Sequence, residues 1–235
     1  MKATLRTPVL YGLLVVIAFA AALVPAVFPA IDLAVAGYFL QANAPIQTSD
    51  WLWVTLINEH TPTVFRSLAV LCLPAWLIVR RANRYRHWAL PIAFVGLALL
   101  LGPGLVVGGL KDLTQRARPF HVTEFGGDKQ FTPALQITNQ CVDNCAFVSG
   151  HAADGFFLVG LMLLSRRRRA WWVAIGIASG LAIGFARVSV GAHWLSDVLW
   201  SFPVTLVCSW VVWVGLTRFY RPFPAPENDL KKAAT

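Results

Sequence analysis

Apolar residues in this chain come in long, nearly unbroken stretches, not in the alternating or one-faced patterns of soluble strands and helices. A helix needs about 20 mainly apolar residues to cross a bilayer. Six stretches approach that length: 9–27, 63–79, 88–110, 146–164, 170–188 and 193–216. They predict an all-α polytopic membrane protein, a six-transmembrane-helix bundle folded as one domain over residues 1–221. The tail, 222–235, is rich in Pro and charge and is expected to be disordered. The first stretch follows Lys2 and Arg6 as a signal peptide would. It is longer than a signal h-region, however, and further stretches follow, so an uncleaved helix is expected.

Composition agrees with the pattern. Hydrophobic residues make up 57% of the 235 and charged residues 13%, with a mean hydropathy of +0.61; soluble domains carry roughly twice that charged share. Ten Trp suit a belt at the membrane interface. The net charge of +9 would suggest nucleic acid in a soluble protein, but here the basic residues sit between apolar stretches and read as topology signals. Lys2, Arg6, Arg80, Arg81, Arg84, Arg86, Arg166, Arg167, Arg168, Arg169, Arg218, Arg221, Lys231 and Lys232 all fall on one side, predicted to be cytoplasmic. Arg66, Lys111, Arg116, Arg118, Lys129 and Arg187 fall on the other, against the grain, and need another explanation. That side also receives the two long connections, 31–62 and 111–145.

The remaining signals are structural. Cys72 and Cys208 lie in apolar stretches and read as packing residues. Cys141 and Cys145 flank a short polar segment without partners at metal-ligand spacing, so a disulfide is the open possibility. Gly104 and Gly108, and Gly176, Gly180 and Gly184, recur every four residues, a spacing that lets helices approach closely within the bundle.

Three polar clusters stand at predicted helix ends on the non-cytoplasmic side. They are KDLTQRARP from Lys111, FVSGH ending at His151, and ARVSVGAHWLSD ending at Asp197. Ser149 and Gly150 at a helix N-terminus offer backbone N–H groups and a positive dipole end to an anion. Lys111, Arg118 and Arg187 add fixed positive charge, and Arg grips phosphate through two parallel hydrogen bonds. His193 and Asp197 are four residues apart; on a helix they share a face, where the carboxylate can hold one ring nitrogen and leave the other to attack. His151 suits protonation of a leaving oxygen. Asp154, one turn beyond His151, is a candidate to tune that histidine. Arg116, His121, Glu124, Asp128 and Lys129 in the adjoining loop read mainly as solvated loop residues, with contact of one or two to a substrate head group open, and Glu59 and His60 form a further, weaker polar patch at the same face.

Together the clusters resemble the type 2 phosphatidic acid phosphatase family, whose pattern is K-x6-R-P, P-S-G-H and S-R-x5-H-x3-D. Here Lys111-x6-Arg118-Pro119, Ser149-Gly150-His151 and Arg187-x5-His193-x3-Asp197 match, with Val148 in place of Pro and Ala186 in place of Ser. The resemblance implies roles. His193 becomes phosphohistidine, Asp197 orients it, and His151 is the acid and then the base. Lys111, Arg118, Ser149, Gly150 and Arg187 bind phosphate, and no metal or other cofactor is needed. It also implies a phosphorylated membrane lipid as substrate and an active site at the periplasmic face of a bacterial inner membrane, with both termini cytoplasmic. NCAFVSGHA resembles the branch containing lipid A phosphatases. Undecaprenyl diphosphate, phosphatidylglycerol phosphate or phosphatidic acid as substrate stays open, as do transfer to a second lipid and, more remotely, an idle transporter scaffold. Oligomeric state leaves no trace in the sequence.

Overall fold

The computed structural model describes residues 6–41, 46–165 and 167–219. The expected tail at 222–235 lies outside them, as do Lys2, Arg166, Arg221, Lys231 and Lys232. Among the described residues eight α-helices form: α1 (Arg6–Val27), α2 (Ala30–Leu40), α3 (Leu52–Arg81), α4 (Ala89–Leu99), α5 (Val107–Thr114), α6 (Gly150–Gly160), α7 (Arg169–Ser189) and α8 (Leu195–Phe219). Among the described residues no β-strand forms; one isolated bridge pairs Val122 with Lys129.

Five helical runs are long and apolar enough to cross a membrane: α1, α3, the run that begins at Asn83 and contains α4 and α5, α7, and α8. The expected sixth, 146–164, is shorter. Residues 146–149 are not helical, and α6 with its closing 3-10 turn spans only Gly150–Leu163. Ala152 to Phe157, Val159, Gly160, Met162 and Leu163 are all buried, so this segment is packed by other parts of the protein.

The connection expected at 31–62 is also revised. It contains α2 and the first turns of α3, which begins at Leu52 and carries Pro62 within it. Asn58, Glu59 and His60 are therefore helical, lying about two turns into α3. Prolines are tolerated in such helices because neighbouring groups take up the freed backbone partners.

The α4–α5 run widens at Leu100–Val106 into π-helical turns centred on Pro103. Proline has no N–H to donate and its ring crowds the carbonyl four residues back. A wider turn relieves both, and Val107 N–H reaches back to the Gly102 carbonyl.

Small residues bring α7 against α6 and α8. A Cβ on Gly180 would stand 2.2 Å from the Phe156 ring, one on Gly176 2.4 Å from Val159 N, and one on Gly184 2.3 Å from Val198. The four-residue spacing of Gly176, Gly180 and Gly184 thus serves packing within the chain; that of Gly104 and Gly108 does not, since a Cβ on Gly108 would meet nothing within 4 Å and both glycines line a cavity. In lipid such packing replaces the hydrophobic drive between helices. Tyr11, 1% exposed, ties α1 to α8 by donating to the Leu206 carbonyl at 2.9 Å. Cys72 and Cys208 are buried at helix contacts, beside Gly96 and Gly102.

Candidate active site

α5 stops where Gln115 turns left-handed, at φ 47°. The chain then forms an irregular cover over 115–149 before α6 begins, capped by Ser149, whose Oγ accepts from Ala152 N. Under this cover is a cavity of about 540 Å³. Lys111, Arg118, Gly150, His151, Arg187 and His193 meet on its walls, and so does Asp154. Three clusters spread over more than 80 residues of sequence thus converge on one chamber.

Ser149 and Asp197, by contrast, are 0% exposed and lie behind the wall. The backbone N–H of Ser149, expected to be free for an anion, donates instead to the Asp197 carbonyl at 3.0 Å.

His193 is 1% exposed but reaches the cavity. Its Nδ1 lies 2.8 Å from the Ala146 carbonyl oxygen. A carbonyl only accepts, so Nδ1 carries the proton and Nε2 keeps its lone pair. The expected direct hydrogen bond from Asp197 is not made: Oδ2 stands 3.6 Å from Nδ1. Two features explain this. α8 starts at Leu195, so His193 and Asp197 do not share a helix face. The Asp197 carboxylate is also engaged elsewhere, Oδ2 accepting from Trp194 N at 2.8 Å and Oδ1 from Arg116 Nη1 at 2.6 Å.

Arg116, expected to be a solvated loop residue, is fully buried. Its Nη2 donates to Asp32 of α2 at 2.8 Å, its Nη1 also to Ser196 Oγ at 2.7 Å, and its Nε to the Thr132 carbonyl at 2.8 Å. Asp32 in turn accepts from Ser196 N at 2.8 Å and from the Ser196 hydroxyl. Trp194 packs beside the guanidinium and donates Nε1 to the Ala117 carbonyl at 2.8 Å. One buried cation between two carboxylates therefore locks α2, the cover and the start of α8 around His193.

Two asparagines hold the cations at the cavity wall. Asn144, left-handed at φ 47°, accepts Arg118 through its carbonyl, at 2.9 Å from Nε and 2.7 Å from Nη2, and Lys111 through Oδ1 at 3.1 Å. It sits inside the small ring closed by a Cys141–Cys145 disulfide. Asn58 of α3 accepts Arg187 Nη1 at 3.0 Å, and its carbonyl lies 3.1 Å from His151 Nε2. Arg187 Nε is buried without a partner among the described residues, a donor aimed at no protein acceptor.

The sequence missed both asparagines, because neutral amides leave no charge signature. Arg66, noted only as against the topological grain, also lines the cavity. Among the described residues, His121, Glu124, Asp128, Lys129, Glu59 and His60 do not. Asp128 accepts from Lys129 Nζ at 3.0 Å, which holds its carboxyl below the ordinary range. Asp154 makes no hydrogen bond to His151; that ring is held by Asn58. Among the described residues no group of three or more His, Cys, Asp or Glu side chains is placed to hold a metal ion.

An imidazole with a bare nitrogen, a second histidine and convergent cations at one end of a bundle of apolar helices make an arrangement suited to phosphoryl transfer. Comparison with known proteins narrows that class. The PAP2 superfamily model matches residues 91–221. The chain is 34% identical over 200 residues, 82% of its own length and 89% of the relative's, to a lipid A 4'-phosphatase of Francisella tularensis subsp. novicida. It is 39% identical over 111 residues to a lipid A 4'-phosphatase of Rhizobium leguminosarum and 32% over 123 residues to a lipid A 1-phosphatase of Rhizobium johnstonii. These last two alignments span 46% and 51% of this chain and 48% and 47% of the relatives. No solved structure matches. The chain belongs to the PAP2 superfamily, and its apolar helices make it an integral membrane protein.

Proposed function

We propose that this protein is a phosphatase that removes a phosphate from lipid A at the periplasmic face of a bacterial inner membrane, through a phosphohistidine on His193. The observation that carries the chemistry is the hold on His193. The Ala146 carbonyl fixes the proton on Nδ1, leaving Nε2 as the nucleophile in a cavity walled by Lys111, Arg118 and Arg187. The substrate follows from the relatives. The one aligned over most of both chains is named a 4'-phosphatase, which makes the 4'-phosphate the first choice.

The steps balance as follows. Nε2 attacks phosphorus, the P–O bond to the lipid breaks, and the leaving alkoxide takes a proton from His151. A water then gives its proton to His151 and attacks the same phosphorus; the P–N bond breaks and inorganic phosphate leaves. Lys111, Arg118, Arg187 and the N-terminus of α6 at Gly150 stabilise charge on the phosphoryl oxygens. Asp197 acts through Trp194 and the start of α8, and Ser149 through its cap.

The domain reading remains one bundle over 1–221, with α6 counted as the sixth crossing. Two observations support the orientation. The basic residues Arg80, Arg81, Arg167, Arg168 and Arg218 lie at the helix ends remote from the cavity. The disulfide beside the cavity suits an oxidising compartment. Phosphate release from lipid A, phosphatidic acid, undecaprenyl diphosphate and phosphatidylglycerol phosphate, measured on detergent-purified protein with chelator present, tests the proposal. Release from lipid A that vanishes in His193→Ala supports it; equal release by the variant sinks it. Loss of phosphate from lipid A that requires an added acceptor lipid, yields the phosphorylated acceptor and frees no inorganic phosphate would establish phosphotransfer instead.

A further inference from the structure

Among the described residues that line the cavity, Asp154 is the one acid. Its position is paradoxical for an anion site. The same walls carry Lys111, Arg118, Arg187 and Arg66, and a carboxylate beside them opposes the binding of phosphate. Asp154 is 7% exposed, and among the described residues no hydrogen bond or ion pair engages it. Buried polar groups are almost always paired, so an unpaired one that faces a cavity points to a ligand.

Depth supplies the second observation. On α6, Asp154 stands one turn beyond His151, away from the helix end that meets phosphate. On α3, Arg66 stands one turn before Ala69 and Val70. Ala69, Val70 and Leu100 are shared with a second cavity of about 460 Å³ between α3 and α4. That cavity is apolar and continues past Leu73 and Trp76. Asp154 and Arg66 therefore stand at the junction, with the phosphate end on one side and the apolar groove on the other.

A lipid seated with its phosphate at His193 and a chain in the groove brings to that level the linkage between head group and chain. A carboxylate there accepts one hydrogen bond and a guanidinium donates. We propose that Asp154 and Arg66 form a second polar subsite, which binds an N-acyl or hydroxyacyl group at the junction of head group and chain. Asp154 takes the N–H or O–H and Arg66 the carbonyl. The inference rests on the lipid-phosphatase reading and deepens it: the enzyme selects lipids with a donor at that depth over those with only ester carbonyls.

Lipid A, whose chains include amide-linked hydroxyacyl groups, and phosphatidic acid, whose chains are ester-linked and carry no donor, separate the cases. Both are presented to the full-length protein in the same mixed micelles. Asp154→Ala is expected to lower kcat/KM for lipid A about tenfold or more, mainly through KM, and for phosphatidic acid no more than about threefold. Asp154→Asn, nearly isosteric, keeps an acceptor and falls between Asp154→Ala and the unsubstituted protein on lipid A. Arg66→Ala weakens both lipids, since both carry carbonyls. Equal losses on the two lipids in Asp154→Ala, or none, overturn the proposal; equal losses would return Asp154 to the service of His151. Equilibrium binding of the same lipids to His193→Ala protein, with and without Asp154→Ala, separates the two readings. Selective weakening toward lipid A there, without phosphate release by unsubstituted protein, upholds the subsite and removes the hydrolase reading. Equal or absent weakening removes the subsite.

Discussion

The two sides of His193 are built in opposite ways. Behind it, Arg116, Asp32, Ser196 and Asp197 are fully buried and satisfy one another. In front of it, Lys111, Arg118 and Arg187 are half-buried and lean on neutral asparagines, with no carboxylate paired to them among the described residues. The rear region sets one cation against two carboxylates, closes its hydrogen bonds within itself and positions His193. The front region is left open, so its positive charge is available to an anion. Charge in a membrane protein is expensive, and the comparison separates charge that shapes the fold from charge kept for the substrate.

The largest expected effect sits where the regions meet. His193→Ala removes the proposed nucleophile and should cut phosphate release by about 10⁴-fold or more, measured on protein whose thermal unfolding in detergent is unchanged. Next is the rear. Arg116→Ala leaves two carboxylates buried without a counter-charge, a loss of roughly 3–5 kcal/mol, so its melting temperature in detergent should fall steeply and activity with it. The front should answer differently. Arg118→Lys loses the forked geometry and should lower kcat/KM by about 10²-fold with little change in melting temperature. If it melts as early as Arg116→Ala, the division between the regions is wrong. The smallest effect belongs outside both. Tyr11→Phe removes one buried hydrogen bond remote from the cavity and should cost about 1 kcal/mol of stability, with KM for lipid A unaltered.

The sequence carried the front region well. Lys111, Arg118, His151, Arg187 and His193 were legible because an ionisable group at the end of an apolar stretch needs a reason to be there. The rear region was harder, since its logic is pairing between distant residues. Arg116 and Asp32 are separated by 84 positions, and nothing local in either announces the other. The signal that existed was isolation: Asp32 interrupts an apolar run, and Arg116 defies the charge topology. The i, i+4 spacing points to Asp197 as the hold on His193, but it presumes a helix, and the helix starts two residues after the histidine; Asp197 stands 3.6 Å away while the Ala146 carbonyl is nearer. Ala146 left no trace, since its contribution is a backbone carbonyl. Helix α6 is shorter than its apolar stretch suggests, because apolarity does not mark where a helix begins: residues 146–149 are apolar or small yet not helical.

The widened turn at Leu100–Val106 also sets the phase of everything after it. Leu99, Pro103, Val107 and Lys111 line the cavity at steps of four. In a regular α-helix each such step overshoots a full turn by about 40°, so three steps would carry Lys111 about 120° around the axis. The wider turns absorb that drift and keep the row straight. Lys111 thus owes its aim to a proline two turns away, and removing a single residue between Leu100 and Val106 would swing the ammonium about 100° off target with every side chain of the site still present.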